Sequence, residues 1–292
     1  MSKRTTEFLP PVTYQGGKGR LAAQIVETMG LPIAGRFYDL CCGSGAISVA
    51  AVERGQDPSR ITMVDLSPWG LFWKSIGDGS FDVSQFELHA ARVPRDPWKI
   101  KEYVEALSRE RVGDDRVYVF LILQAARFGG AAIWIDGEKW CGGGFRQYWT
   151  SASSKKEPTR GRENPNSTPP MCPMPDVIVA RCRSLAQRMR GVRAICDDLG
   201  RPGFDLRLVV GDGDVAYIDP PYAGTSKYGY EVDASKLASS LGVPCWVSEG
   251  RGLTPGAICL SRGRMKGGMS GTRTRAPNEE WISPFGTEKV RT

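Results

Sequence analysis

Histidine is almost missing from this chain: His89 is the only one among 292 residues. Mechanisms built on a histidine base are therefore disfavoured, and His89 itself is assigned no role. No run of about 18 apolar residues occurs, so no membrane-spanning helix is expected. The basic residues of Met1 to Pro10 lead into no apolar stretch, so that segment does not read as a secretory signal. A cytoplasmic protein is the resulting expectation. Eight cysteines are present, but none forms a C-x-x-C pair. Cys41 and Cys42 are adjacent, and Cys141, Cys172, Cys182, Cys196, Cys245 and Cys259 are scattered. Structural zinc sites usually show paired ligands, so no metal is expected, and buried free thiols are the simpler reading. A Walker-type phosphate loop is absent, which disfavours ATP hydrolysis. The dinucleotide fingerprint is incomplete, with Ser48-Val49 where a third glycine would be sought.

What the chain does have is an ordinary apolar share of 41% and a net charge of +7. A positive excess suits a polyanionic partner without proving one. One basic group is Lys155, Lys156, Arg160 and Arg162, and another is Arg262, Arg264, Lys266, Arg273 and Arg275. Both lie among Gly, Ser, Thr and Pro. Either, taken alone, reads equally as a solvated surface.

Periodicity predicts a helix through Leu21, Ile25 and Met29, a strand over Arg36 to Leu40, a helix over Ala46 to Arg54 and a strand over Ile61 to Asp65. Strand, glycine turn, helix, strand is one parallel βαβ unit. Amphipathic helices follow at Trp98 to Arg111 and Asp115 to Phe128. Gly129 to Pro175 reads as poor core sequence, with part of it (Ser151 to Met171) ordering only around a ligand. Alternation resumes with a helix over Val177 to Met189 and strands over Val192 to Cys196 and Val215 to Asp219. A helix over Ala234 to Leu241 and a strand over Pro244 to Ser248 come next, and Ile258 to Leu260 with Glu280 to Ser283 would close the sheet as an antiparallel hairpin. The fold expected is one doubly wound α/β domain, residues 1 to 73 and 176 to 292, interrupted by an insertion at 74 to 175.

Two constellations carry chemistry. Asp39-Leu-Cys41-Cys-Gly43-Ser44-Gly45 ends a strand in a glycine turn, where the backbone passes close to a ligand. Asp65 ends the next strand 20 residues after Gly45, where a carboxylate can take two ribose hydroxyls. Together they suggest a nucleoside-containing cofactor. Tyr217-Ile-Asp219-Pro220-Pro221-Tyr222 is an apolar strand delivering an acid and an aromatic at its carboxyl end. The prolines stop the ladder and free the Pro220 carbonyl. Acceptor carboxylate, acceptor carbonyl and aromatic face suit a flat heterocycle bearing an NH2 group. A strand-terminating Pro-Pro turn with a capping Asp is the bland alternative.

In the order Tyr14-Gln-Gly-Gly17-Lys18, Asp39 to Gly45, Asp65, Asp219-Pro-Pro-Tyr222, the chain resembles the Dam-like, α-group DNA adenine-N6 methyltransferases, from Thr13 to about Ser283. The resemblance implies a Rossmann-like S-adenosylmethionine-dependent domain with a target-recognition insertion, and a methyl transfer from S-adenosyl-L-methionine to the N6 amine of a flipped adenine. It implies cofactor contacts from Tyr14, Gly17, Lys18, Asp39, Cys41, Gly43, Ser44, Gly45, Asp65, Leu66, Asp198 and Asp219, with Lys18 closing over the cofactor. Asp219, Pro220, Pro221 and Tyr222 would be catalytic: Asp219 and the Pro220 carbonyl accept the amine's N–H bonds, and Tyr222 stacks on the base. Gln124-Ala-Ala-Arg127-Phe-Gly and Asp136 to Trp140 resemble the stretch after the recognition helices, and Tyr228 and Tyr230 the aromatic loop beyond the catalytic motif. Arg127, Lys139, Arg146, Lys155, Lys156, Arg160, Arg273 and Arg275 would then contact double-stranded DNA. A monomer is expected, with a dimer as the alternative, in a bacterium or a phage-infected host cell.

The chain departs from the family pattern at Cys41, where a Phe usually packs on the cofactor, and in the segment Cys141 to Pro175, which has no assignable counterpart. Other readings are the same chemistry on cytosine N4, RNA adenine or a protein amide, and a non-enzymatic DNA-binding protein on the same fold.

Overall fold

The computed structural model describes residues 10–148, 169–200, 204, 210–222, 232–262 and 279–286. Lys155, Lys156, Arg160, Arg162, Arg264, Lys266, Arg273, Arg275, Tyr228 and Tyr230 lie outside the described residues, as does most of Ser151 to Met171.

The central sheet has seven strands. In chain order they are β1 (Phe37–Leu40), β2 (Ile61–Val64), β5 (Arg193–Ile195), β6 (Val215–Ile218), β7 (Cys245–Glu249), β8 (Ile258–Arg262) and β9 (Glu279–Phe285). Their spatial order is β5-β2-β1-β6-β7-β9-β8. The first five are parallel; β9 runs antiparallel to β7, and β8 pairs antiparallel with β9. A separate hairpin joins β3 (Trp134–Asp136) to β4 (Lys139–Cys141). The fold is thus α/β with a mostly parallel sheet, and the expected closing hairpin is present.

Burial on both faces explains why β1 and β2 are apolar apart from Asp39 and Thr62, since every residue of each is buried. Their side chains still alternate. Phe37, Ile61, Met63 and Tyr217 enter one core, while Tyr38, Leu40, Val64, Ala216 and Ile218 enter the other. Helices α1 (Ala22–Thr28), α2 (Ala46–Glu53) and α3 (Pro68–Asp78) cover the first face, and α8 (Ala234–Ser240) packs on the second. Asp214 fixes the start of the β1–β6 pair by accepting from the Arg36 and Gly211 amides at 2.6 and 2.9 Å.

Residue 74, where the insertion was expected to begin, falls inside α3. Helices α4 (Val83–Ala91), α5 (Ile100–Leu107) and α6 (Arg116–Ala126) follow, and α7 (Pro175–Arg188) returns the chain to the sheet. These helices share the first core with α3. Trp69 meets Phe72 and Phe120, and Phe81 meets Phe72 and Phe86, edge-to-face at 5.1–5.8 Å between centroids. The stretch read as poor core also contributes, through Ile133, Phe145 and Met171, all buried. No periodic pattern announces these three, because each is a single apolar anchor in an irregular segment. Among the described residues, no helix is long and apolar enough to cross a membrane.

From β1 the chain moves outward to β2 and β5 on one side, then returns to β6 and β7 on the other. This reversal leaves a crevice beyond the carboxyl ends of β1 and β6, the position where open α/β sheets place their ligands.

Candidate active site

The segments that leave β1 and β6 enter that crevice, and there they line a cavity of about 980 Å³. Backbone pairing sets their relative height: the Asp219 amide donates to the Leu40 carbonyl at 3.1 Å, and the Cys42 amide to Val64 at 3.0 Å.

The glycine turn is built from its neighbours. Gly43 and Gly45 have φ of +48° and +73°, a region that side chains disfavour. A Cβ on Gly43 would stand 2.8 Å from the Tyr14 ring, and one on Gly45 would stand 2.2 Å from Trp73. The Trp73 indole donates to the Gly43 carbonyl at 2.9 Å, clamping the turn from behind. Gly45 therefore serves the packing under the turn and is not part of the cavity wall, whereas Gly43 and Ser44 are. Cys41 has φ of +60°, alone among the described non-glycine residues in that region. Cys41 lines the cavity, and burial, with Asp65, Asp219, Asp39 and Asp198 around it, pushes its pKa well up. It is a neutral thiol where the family pattern has an aromatic ring.

Asp65 supports the turn. One oxygen accepts from the Gly43 amide at 2.7 Å, and the other from the Ser67 amide and hydroxyl at 2.9 and 2.5 Å. A carboxylate offers about four acceptor positions. Three are taken, so the acid expected to take two ribose hydroxyls has one acceptor position left. Leu66 beside it lines the cavity and is 37% exposed. Asp198 is not on the wall; its side chain accepts from the Gly200 amide at 2.6 Å, and the neighbouring Leu199 is the lining residue.

Asp39 is part of the cavity floor although only 1% exposed, accepting from the Ser48 hydroxyl and amide at 2.6 and 3.2 Å. Burial raises its pKa to about 7, against the Ser48 bonds and with help from Asp219 and Asp65. A carboxyl whose folded pKa lies above its unfolded value binds its proton more tightly in the folded state. This group therefore adds stability as pH falls from above 7 toward 4, and above pH 7 its buried charge is a cost. Asp39→Asn, which keeps the acceptor for Ser48, is expected to gain about 1–2 kcal/mol at pH 8 and less than half of that at pH 5. Urea unfolding at the two pH values checks this; an equal effect at both would show that the charge is not the cause.

Lys18 reaches the site from the N-terminal segment. Its ammonium lies 2.7 and 2.8 Å from the two Asp219 oxygens and 3.6 Å from a Glu280 oxygen on β9. It also stands 4.9 Å from the centre of the Tyr222 ring, and the Tyr222 hydroxyl donates to Glu280. Lys18, expected to close over a cofactor, lines the cavity and directs its charge to Asp219. Burial works against that charge, but Asp219 and Glu280 outweigh it and raise the Lys18 pKa. Burial lifts Asp219 to about 6 although Lys18 pulls it down. Pro220 and Pro221 line the same wall.

Gln124 positions this N-terminal segment. Its buried amide donates to the carbonyls of Thr13, Gly130 and Ala131 and accepts from the Ile133 amide. The Gln15 amide bonds Gly130 at 2.8 Å, and Thr13 bonds Cys172 at 3.0 Å. The segment carrying Tyr14, Gly17 and Lys18 is thereby fastened to the end of α6.

Sequence reasoning missed Glu280, Gln124 and Trp73 as site-building residues. For Glu280 the available signal was an acid within the strand expected to close the sheet, but nothing local shows that this strand's side chain meets Lys18. Of the expected DNA contacts, Arg127 donates to the Gly144 carbonyl at 3.0 Å and Arg146 to the Arg127 carbonyl at 3.1 Å, so both guanidinium groups brace the loop after β4. Lys139 is exposed on the β3–β4 hairpin, and Trp134 of that hairpin reaches the cavity.

All eight cysteines are free, and among the described residues no group of three potential metal ligands occurs. No protein-family model matches the chain, and no curated protein matches its sequence.

Proposed function

We propose that this protein transfers a methyl group from S-adenosyl-L-methionine to the N6 amine of adenine in DNA. The observation that carries the proposal is the convergence of Asp219-Pro-Pro-Tyr222 with Tyr14 to Lys18, the Gly43-Ser44 turn and Asp65 on one cavity, from segments far apart in the chain. The parallel strands give way to an antiparallel hairpin at one edge, unlike the all-parallel dinucleotide-binding sheet, which disfavours a dehydrogenase.

The cavity's charge suits this cofactor. Asp39, Asp65, Asp219 and Glu280 all contribute to its lining. Burial raises the pKa of Asp39, Asp65 and Asp219, so a cation placed beside them would favour their charged forms. A ligand bearing a sulfonium and an ammonium supplies such a cation. When bound, S-adenosylmethionine supplies an electrophilic methyl on sulfur. The Gly43-Ser44 backbone, the remaining acceptor position of Asp65, Leu66 and Asp39 would hold it.

The residues around Asp219 handle the amine. The lone pair of adenine N6 is delocalised into the ring, so the nitrogen is a poor nucleophile. An amine that donates to Asp219 and to the Pro220 carbonyl is drawn toward tetrahedral geometry, which localises that lone pair. Positioning and a fixed negative potential then supply most of the acceleration. Tyr222 offers the aromatic wall against the extruded base, and burial together with Asp219 and Glu280 keeps its phenol protonated.

The test is labelled-methyl transfer from S-adenosylmethionine to unmethylated DNA, RNA and protein side by side. Incorporation at adenine N6 of DNA supports the reading. Label on another amine would reassign the substrate, and absence of cofactor binding by calorimetry with DNA binding retained would favour a non-enzymatic role. The pH profile is a second check. Protonation of Asp219 removes the negative charge that draws on the amine, so the rate is expected to fall tenfold per pH unit below about 6. A rate flat down to pH 5 would rule out Asp219 as the required base-form group.

A further inference from the structure

The Lys18 ammonium occupies the place on Asp219 that an amine substrate needs. At 2.7 and 2.8 Å it bonds both carboxylate oxygens, so whichever of them the amine's N–H would reach already has a donor. Side chains of Lys18 and Asp219 are only 8% and 17% exposed, so little solvent is at hand to receive the displaced charge. A buried charge left without a partner is costly. The structure supplies a second partner: Glu280 stands 3.6 Å from the same nitrogen, and its carboxylate is held by the Tyr222 hydroxyl. The ammonium already lies against the Tyr222 ring. A shift of under about 1 Å brings it to full hydrogen-bond distance from Glu280 without leaving that ring.

We propose that Glu280 is a positioning residue, the second seat of the Lys18 ammonium, to which Lys18 turns when the substrate amine takes its place on Asp219. The inference rests on reading Asp219 as the amine acceptor. Only hydrogen bonds are exchanged: Lys18 stays protonated throughout, Asp219 trades one N–H donor for another, and Glu280 gains one. The arrangement also keeps Asp219 neutralised until substrate arrives. Tyr222 links the two events, because the residue that walls the base also holds Glu280 in position.

Glu280→Gln is the discriminating variant. It keeps an oxygen to accept from Tyr222 and removes the charge that would receive Lys18. Single-turnover transfer to unmethylated DNA is expected to slow by about 100-fold, with the cofactor Kd and melting temperature within error of wild type. Glu280→Asp, which retains the charge, is expected to recover part of the rate. A Glu280→Gln rate within twofold of wild type overturns the inference and leaves the functional reading intact. Slower transfer accompanied by a lower melting temperature or weaker cofactor binding, with Glu280→Asp equally slow, shows a merely structural role and also overturns it. A wild-type protein that methylates no DNA overturns the functional reading and this inference together.

Discussion

Asp219→Asn is expected to slow methyl transfer by about 100- to 1,000-fold, the range found when one charge-stabilising group is removed from a preorganised site. The amide keeps the shape of the carboxylate but offers one acceptor oxygen and no charge, so it can neither balance the Lys18 ammonium nor draw on an amine as a carboxylate would. Stability should respond less sharply than the rate. Stranding a buried cation costs about 3–5 kcal/mol in general, but Glu280 remains 3.6 Å from Lys18, and the variant also removes a carboxylate that burial disfavours. Single-turnover transfer of labelled methyl and urea unfolding separate the two effects. A variant that transfers at the wild-type rate would end the case for Asp219 as the amine acceptor.

The largest effect on folding is expected at Gly45. Alanine there would place a methyl 2.2 Å from Trp73 and 2.9 Å from Met63, in a backbone conformation with φ of +73°. Left-handed strain adds about 1–2 kcal/mol, and overpacking a closed core adds about 1–3 kcal/mol, giving a destabilisation of about 2–5 kcal/mol. Trp73 cannot simply move aside, since its indole nitrogen is tied to the Gly43 carbonyl and its ring packs on Phe72. Urea denaturation of Gly45→Ala measures the loss. The same variant should weaken cofactor binding, because the displaced Trp73 also holds the turn that lines the cavity. A destabilised variant with unaltered cofactor affinity would show that the turn keeps its shape without this clamp.

The two substitutions mark different kinds of sequence information. Asp219 was identified by an unusual tetrapeptide at a strand end, and the structure brings that tetrapeptide to a cavity shared with the glycine turn. Gly45 was identified by the same local logic, yet its contact is with Trp73 behind the turn and not with the cavity. A glycine's spacing records that backbone must come close to something; it does not record what. Asp65 repeats the lesson. Its position at a strand end predicts an exposed carboxylate, but Ser67 and the Gly43 amide fill three of its acceptor positions.

The sequence by itself determined the alternation of strands and helices, the closing hairpin and the residues at the strand ends. Those properties are local: apolar periodicity, glycine turns and a Pro-Pro stop act within a few residues. It also placed Asp39, Gly43 and Asp219 among the site residues, because each sits in a short segment with its own signature, while Lys18 was placed there by a family resemblance. Only the tertiary structure decided which of them touch. The salt bridge between Lys18 and Asp219 spans 201 positions, and Glu280 joins it from β9, two strands beyond β6. Gln124 fastens the Lys18 segment from a buried position that carries no catalytic signature. These contacts follow from strand order, in which β6 lies beside β1 and β9 lies beside β7. Strand order is settled by the packing of the whole chain, so no window of sequence around Glu280 or Gln124 could reveal their place in the site.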